Sequence, residues 1–221
     1  MKTIALALLA AFSITAQAVT LVPGVSTALP GTTSAAEPSL AGTVIEDKMD
    51  SFSMTLANGG LVTGQIQSRV VRAIDNTLDF YWRVFNDANS AGDVAFFRLG
   101  EFFSPEYNAN FRTDGLGDLA PVSAYRFTGS QESYINFDLT HVDDAGAPFG
   151  IHPGQSSYFM FFDTSATQYA ETAVMDIAYF GTTRMSQSFS TYTPSTVPEP
   201  GSLAMIGLGL AGLAAARRRK N

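Results

Sequence analysis

The chain has 221 residues, 46% of them hydrophobic, and a formal net charge of −7. Without residues 1–18 and the tail from Val197, about 178 residues remain, enough for one domain with a sizeable core. Eight basic and nineteen acidic residues give this body a charge of −11, which argues against nucleic acid or anionic lipid as a partner. The same charge suits a solvated exported protein and would also suit divalent cations. The absence of cysteine excludes a disulfide framework, a thiolate nucleophile and cysteine-ligated zinc.

The first 18 residues have the three parts of a secretory signal peptide. Lys2 supplies the positive start, Ile4–Ile14 the apolar stretch, and Ala16-Gln17-Ala18 a small-x-small cleavage site. We therefore predict export through the Sec machinery and cleavage between Ala18 and Val19. An uncleaved anchor is the weaker alternative, because the apolar stretch is shorter than the roughly 20 residues of a spanning helix.

Residues 19–42 are rich in Pro, Gly, Ser, Thr and Ala, which predicts an extended leader with an edge strand near Gly42–Glu46. The body, residues 43–185, then shows the alternation of strands. In Leu78–Asn86, Leu78, Phe80, Trp82 and Val84 share one face, while the residues between them share the other. Leu61–Ala73 precedes this stretch across a short Asp/Asn turn, so the two predict an antiparallel hairpin.

The rest of the body predicts further strands at Val94–Phe103, Val122–Thr128, Tyr134–Thr140, Tyr158–Thr164 and Glu171–Phe180. Asn108–Pro121 is predicted to be a long loop. No apolar run keeps the period of a helix over three turns. The predicted fold class is all-β: a single antiparallel β-sandwich, with a partly open β-barrel as the alternative.

One acidic turn has a weak resemblance to a calcium loop. Asp87, Asn89 and Asp93 could offer oxygen ligands, but Arg98 stands where an EF-hand needs its bidentate carboxylate. Asp, Asn and Gly are also what any hairpin turn prefers, and the acidic turns at 114–118 and 143–146 are read in the same way. His141 and His152 lack zinc-site spacing. We predict no metal and no cofactor, with Asp87, Asn89 and Asp93 as weak calcium candidates.

No motif in the body indicates catalysis. Gly154-Gln155-Ser156 lacks the final glycine of a nucleophile elbow and precedes a strand, so the chain is predicted not to be an enzyme. The alternative function is a lectin-like module, with or without calcium. It depends on sugar stacking by tyrosines of the polar strand faces: Tyr81, Tyr125, Tyr134 and Tyr158. A secreted hydrolase is the third hypothesis.

The last 36 residues are predicted to form a tether and a membrane anchor. Residues 186–197 are Ser/Thr/Pro-rich and predict an extended tether. Ser202–Ala216 carries no charge and would form a short transmembrane helix of about 22 Å. A basic stop cluster follows, formed by Arg217, Arg218, Arg219 and Lys220. It places the C-terminus in the cytoplasm, while the signal peptide places the body outside.

Pro198-Glu199-Pro200, the apolar segment and the basic cluster stand in this order over residues 198–221. Together they resemble the PEP-CTERM sorting signal of exported bacterial proteins. The resemblance implies that an exosortase, a membrane protease, recognises Pro198, Glu199 and Pro200 and releases the body from the inner membrane. It further implies a Gram-negative cell that makes exopolysaccharide, and a cell-surface, extracellular-matrix or biofilm protein. The body is expected to associate with that exopolysaccharide.

Overall fold

The computed structural model describes residues 17–103, 106–179 and 185–195. These residues form fourteen strands and two short 3₁₀ helices, with no α-helix among them. The strands are β1 (Val19–Thr20), β2 (Ser26–Ala28), β3 (Gly42–Thr55), β4 (Leu61–Ala73), β5 (Leu78–Asn86), β6 (Val94–Gly100), β7 (Asn108–Phe111), β8 (Ser123–Arg126), β9 (Ile135–Asp138), β10 (His141–Val142), β11 (Pro148–Phe149), β12 (Met160–Asp163), β13 (Tyr169–Tyr179) and β14 (Phe189–Pro194). The 3₁₀ helices are Pro38–Leu40 and Gly129–Gln131.

Two open antiparallel sheets of six strands make up most of the fold. Sheet 1 has the order β1-β7-β12-β5-β4-β3, sheet 2 has the order β14-β13-β6-β9-β8-β2, and β10 and β11 form a separate pair. The predicted all-β class with antiparallel strands is confirmed. The predicted signal peptide and transmembrane helix lie outside the described residues, except for Gln17 and Ala18.

The hairpin of β4 and β5 has the predicted bounds and the predicted faces. Leu78, Phe80, Trp82 and Val84 are at most 1% exposed and belong to the main core. That core lies between the sheets, because side chains of sheet 1 contact side chains of sheet 2 within it. The Trp82 ring lies 6.1 Å from the Phe97 ring, and Phe137 stacks on Phe162 at 5.7 Å.

A second, smaller core covers the outer face of sheet 1. Leu40, Val71, Tyr81 and Phe161 are buried there together, with Ala18 and Phe159 packed against them. Leu40 belongs to the predicted leader, and other leader residues bond to β7 of the same sheet. Gly31 N–H donates to Asn110 Oδ1 at 2.8 Å, and Thr32 N–H donates to the Phe111 carbonyl at 2.9 Å.

The predicted leader and tether therefore differ from the structure. Within residues 19–42, β1 and β2 are edge strands of sheets 1 and 2. Within residues 186–197, β14 pairs with β13, and Thr191 is fully buried. The predicted loop at Asn108–Pro121 is wrong over its first four residues, which form β7 inside sheet 1. Pairing with distant strands supplies the backbone hydrogen bonds that these Ser-, Thr- and Asn-rich stretches need.

Candidate functional site

A groove lies at one end of the two sheets, and we call it the end groove. It has a volume of about 790 Å³. Its walls come from the β6–β7 connection, the β12–β13 connection and the end of β14. The lining residues are Glu101, Phe103, Glu106, Tyr107, Asn108, Asp163, Thr164, Ser165, Ala166, Thr172, Thr193, Pro194 and Ser195.

The end groove is rich in oxygen and has one prominent ring. Phe103 is 67% exposed, which is a high fraction for a phenylalanine side chain. Glu101 holds a left-handed backbone with φ of 68°, a conformation that few non-glycine residues adopt. Such strain is often found at ligand sites. The groove can therefore accept many hydrogen bonds and offers one aromatic surface.

A buried carboxyl pair lies at the edge of the groove. Phe162 pairs with Phe80 across β12 and β5, so the next residues, Asp163 and Asp79, face each other on the outer face of sheet 1. Asp79 is 1% exposed, and its carboxyl lies beside the Asp163 side chain and the Thr164 backbone. Burial, together with the charge of Asp163, raises the pKa of Asp79 to about 8. Burial also raises the pKa of Asp163.

This pair holds a proton at neutral pH. Two carboxylates side by side in a buried site cannot both ionise cheaply. The neutral Asp79 carboxyl is placed to donate to Asp163, which helps to raise the pKa of Asp79 and partly offsets the effect of burial on the pKa of Asp163. The sequence did not predict either residue as part of a site. Asp79 lies on the second face of Leu78–Asn86, and the alternation alone gives no sign that this face is buried.

The three weak calcium candidates lie in different surroundings. Asp87 and Asn89 are exposed in the β5–β6 turn. The Asp93 carboxylate instead pairs with His152 Nδ1 at 2.8 Å and accepts the Gly150 N–H at 3.2 Å. Among residues 17–103, 106–179 and 185–195, no group of three or more His, Asp or Glu side chains could hold a metal ion.

The two histidines lie against one phenylalanine. His141 and His152 each stack with the Phe149 ring, at 5.6 and 5.1 Å. His141 Nε2 also lies 2.8 Å from the carbonyl oxygen of Ala120. His141 therefore packs within the β10–β11 pair, and His152 packs against its Phe149 ring.

The structure separates the four tyrosines that were predicted to stack on sugar. Tyr81 is 4% exposed and belongs to the second core, so its ring cannot stack on a sugar. Tyr125 and Tyr134 lie half-buried on the outer face of sheet 2, where Tyr125 contacts Phe127 and the Arg98 guanidinium covers Tyr134 at 5.2 Å. Tyr158 packs on Phe111 near sheet 1. The expectation that Tyr81 is available to stack on a sugar is therefore wrong.

The predicted sorting residues, Pro198, Glu199, Pro200 and the basic cluster 217–220, lie outside the described residues. At the other end, Val19 is in β1 opposite Ala109, and Ala18 N–H faces Glu37 Oε1 at 3.5 Å. Cleavage between Ala18 and Val19 would start the mature chain at β1. In the described part of the chain, no helix is long and apolar enough to cross a membrane.

The comparison with known families concerns the C-terminal segment. A family model described as the PEP-CTERM protein-sorting motif matches residues 196–220. The chain carries a PEP-CTERM sorting motif. The PEP-CTERM motif implies export, a membrane-anchored sorting signal and processing by an exosortase. No curated protein and no solved structure matches the chain.

The PEP-CTERM motif begins one residue after the last described residue, Ser195, which lines the end groove. The groove therefore lies where the chain leaves the β-sheets toward its sorting signal. The motif can be recognised from the sequence, but the groove cannot, because its residues come from connections that are far apart in the chain.

Proposed function

We propose that this exported PEP-CTERM protein is a non-catalytic protein of the cell surface or extracellular matrix that binds exopolysaccharide through its end groove. Before processing, the body lies outside the inner membrane and the C-terminus lies in the cytoplasm. The observation that carries the proposal is the composition of the groove. The exosortase-processed motif supports the location, because it implies export.

Sugar recognition needs acceptors for hydroxyl groups and a flat apolar surface for the ring. The groove offers carboxylates of Glu101 and Asp163, the Asn108 side chain and several Ser and Thr hydroxyls around the exposed Phe103. Its volume of about 790 Å³ lies within the range of ligand sites. An acidic groove disfavours anionic polymers, so we propose a neutral polysaccharide as the ligand.

The contacts around the candidate catalytic groups favour binding over hydrolysis. A glycosidase places both of its carboxyl groups against the scissile bond. Asp79 is buried behind Asp163 and cannot reach a substrate. Ser156 Oγ donates to Asp118 at 3.0 Å and accepts from Arg83 at 2.8 Å, so its hydroxyl is held by structural partners.

The groove is tested by replacing its aromatic ring. We expect Phe103→Ala to weaken binding to neutral polysaccharide on an array by about tenfold, since exposed aromatic anchors often supply more than about 1 kcal/mol. Ile74→Ala is the matched control, because Ile74 is 71% exposed in the β4–β5 turn. The array is probed with and without calcium. Absence of binding by the wild type under both conditions, or equal binding by both variants, would contradict the proposal.

The proposed topology and release are tested by fractionation. In cells without the exosortase, we expect an intact C-terminus, a membrane-bound protein and a body that external protease digests in spheroplasts. In cells with the enzyme, mass spectrometry should find the body without its basic cluster, in the surface or extracellular fraction. An intact tail in the membrane under both conditions would contradict the proposed sorting.

A further inference from the structure

A second cavity lies on the outer face of sheet 1, and we call it the outer cavity. It has a volume of about 310 Å³ and is separate from the end groove. Its walls are mostly apolar. Leu40 and Val71 are buried at its base, while Val44 and Leu116 are 46% and 74% exposed at its rim. Phe159 supplies an aromatic wall.

A buried tyrosine lines this cavity. Tyr81 is 4% exposed, and its Oη is fully covered beside the Arg112 guanidinium. Burial raises the pKa of Tyr81, so the hydroxyl stays protonated. Tyr81 therefore forms part of the wall of the cavity.

Two guanidinium groups face the same cavity. Asp47 accepts hydrogen bonds from Nε and Nη2 of Arg69, and Asp114 accepts them from Nε and Nη2 of Arg112. These carboxylates hold each guanidinium in place. Because a guanidinium has five N–H donors, each arginine keeps further donors for a ligand. Arg69 also covers the Phe159 ring at 4.7 Å, which fixes the plane of its guanidinium.

We infer that the outer cavity binds a ring-sized organic carboxylate. The carboxylate would accept hydrogen bonds from the two guanidinium groups. The apolar body would lie between Phe159 and the Leu and Val side chains of the walls. The cavity volume is near the lower end of the range for ligand sites, which fits a single ring.

The same walls argue against other ligand classes. A sugar would place hydroxyl groups against Leu40, Val44 and Val71, where they would find no partner. An inorganic anion would leave the apolar walls empty. A cation would meet two positive side chains, Arg69 and Arg112.

The test uses benzoate as the probe, with the exported protein and isothermal titration. Benzamide is the neutral analogue of the same shape, and benzylammonium is the cationic one. We expect saturable binding of benzoate at least tenfold tighter than that of benzamide, and no binding of benzylammonium. Equal affinity for benzoate and benzamide, or no saturable binding of benzoate, would overturn the inference.

Two variants locate the site. Arg69→Gln should weaken benzoate binding by about tenfold, because it removes one of the two guanidinium groups at the cavity. Leu116→Glu should also weaken it, since a negative charge at the exposed rim repels the ligand. Tyr125→Phe, on the outer face of sheet 2, should change nothing. An Arg69→Gln protein that binds benzoate like the wild type would place the carboxylate elsewhere. The outcome is independent of polysaccharide binding at the end groove.

Discussion

Replacing Asp79 with Asn should stabilise the protein at pH 8 and have little effect at pH 4. The Asp79 carboxyl is buried beside Asp163, and its pKa is raised to about 8 in the folded chain from 3.8. Between these two pH values the folded state binds more protons than the unfolded state. The free energy of unfolding therefore falls as pH rises, by at most about 1.4 kcal/mol per pH unit from this group. Asn cannot ionise, so the free energy of unfolding of the variant does not fall with pH in this way.

The measurement is thermal unfolding of both proteins between pH 4 and pH 9. Since 1 kcal/mol shifts the midpoint of a domain of this size by roughly 2–4 °C, we expect the Asn variant to unfold about 5–10 °C higher at pH 8. The stabilising effect of the protonated carboxyl is present below pH 4 and is lost as pH rises through 8. A variant that is less stable than the wild type at pH 8, or equally shifted at every pH, would show that Asp79 is not the titrating group.

Asp114→Asn is a control of opposite sign. Its hydrogen bonds from Arg112 hold the pKa of the Asp114 carboxyl well below its usual range. A carboxyl with a lowered pKa stabilises the folded state above its unfolded value and loses this effect in acid. The control should therefore be less stable than the wild type at pH 7 and approach it as pH falls. Because Asp114 is partly exposed, the expected loss is at most about 1 kcal/mol.

The parts of the fold that could be predicted are those whose local pattern and final environment agree. In β4 and β5, the alternation, the Asp/Asn turn and the burial of Phe80 and Trp82 all indicate the same hairpin. Asn110 shows the opposite case. Its sequence neighbours suggest a loop, but its Oδ1 accepts two backbone N–H groups and its side chain is fully buried in sheet 1. One donor is the neighbouring Phe111, but the other is the distant Gly31, which no local signal could reveal.

The candidate sites also differ in whether the sequence alone could predict them. The PEP-CTERM motif is contiguous, so its three parts can be recognised along the chain. The end groove and the outer cavity are assembled from distant segments. Tyr81 is one residue of a regular alternation, and only the fold shows that Leu40 packs on its side of the sheet and that its hydroxyl is buried.

Replacing Trp82 with Ala should remove a large buried side chain from the main core, together with its contact to Phe97 of sheet 2. The ring lies within 5.2 to 6.1 Å of the rings of Phe97, Phe102 and Phe162, and the side chain is 1% exposed. Truncation of a buried tryptophan leaves a cavity and costs about 3–5 kcal/mol. Most domains have only about 5–15 kcal/mol of stability, so a large part of the folding free energy would be lost.

A second variant separates packing from hydrogen bonding at the same position. Trp82 Nε1 donates to Thr191 Oγ1 at 2.8 Å, which joins β5 of sheet 1 to β14 of sheet 2. Trp82→Phe keeps a ring but removes this donor, and we expect it to cost about 1–3 kcal/mol. Both are measured by circular dichroism during thermal and urea unfolding, because Trp82 is the only tryptophan and its fluorescence is lost with it. A loss below about 1 kcal/mol in Trp82→Ala would mean that the sheets are held together elsewhere.

The contact between Trp82 and Thr191 also bears on the sorting motif, because β14 leads directly into it. Destabilisation at Trp82 should free β14 as well and lengthen the segment between the folded body and the membrane anchor.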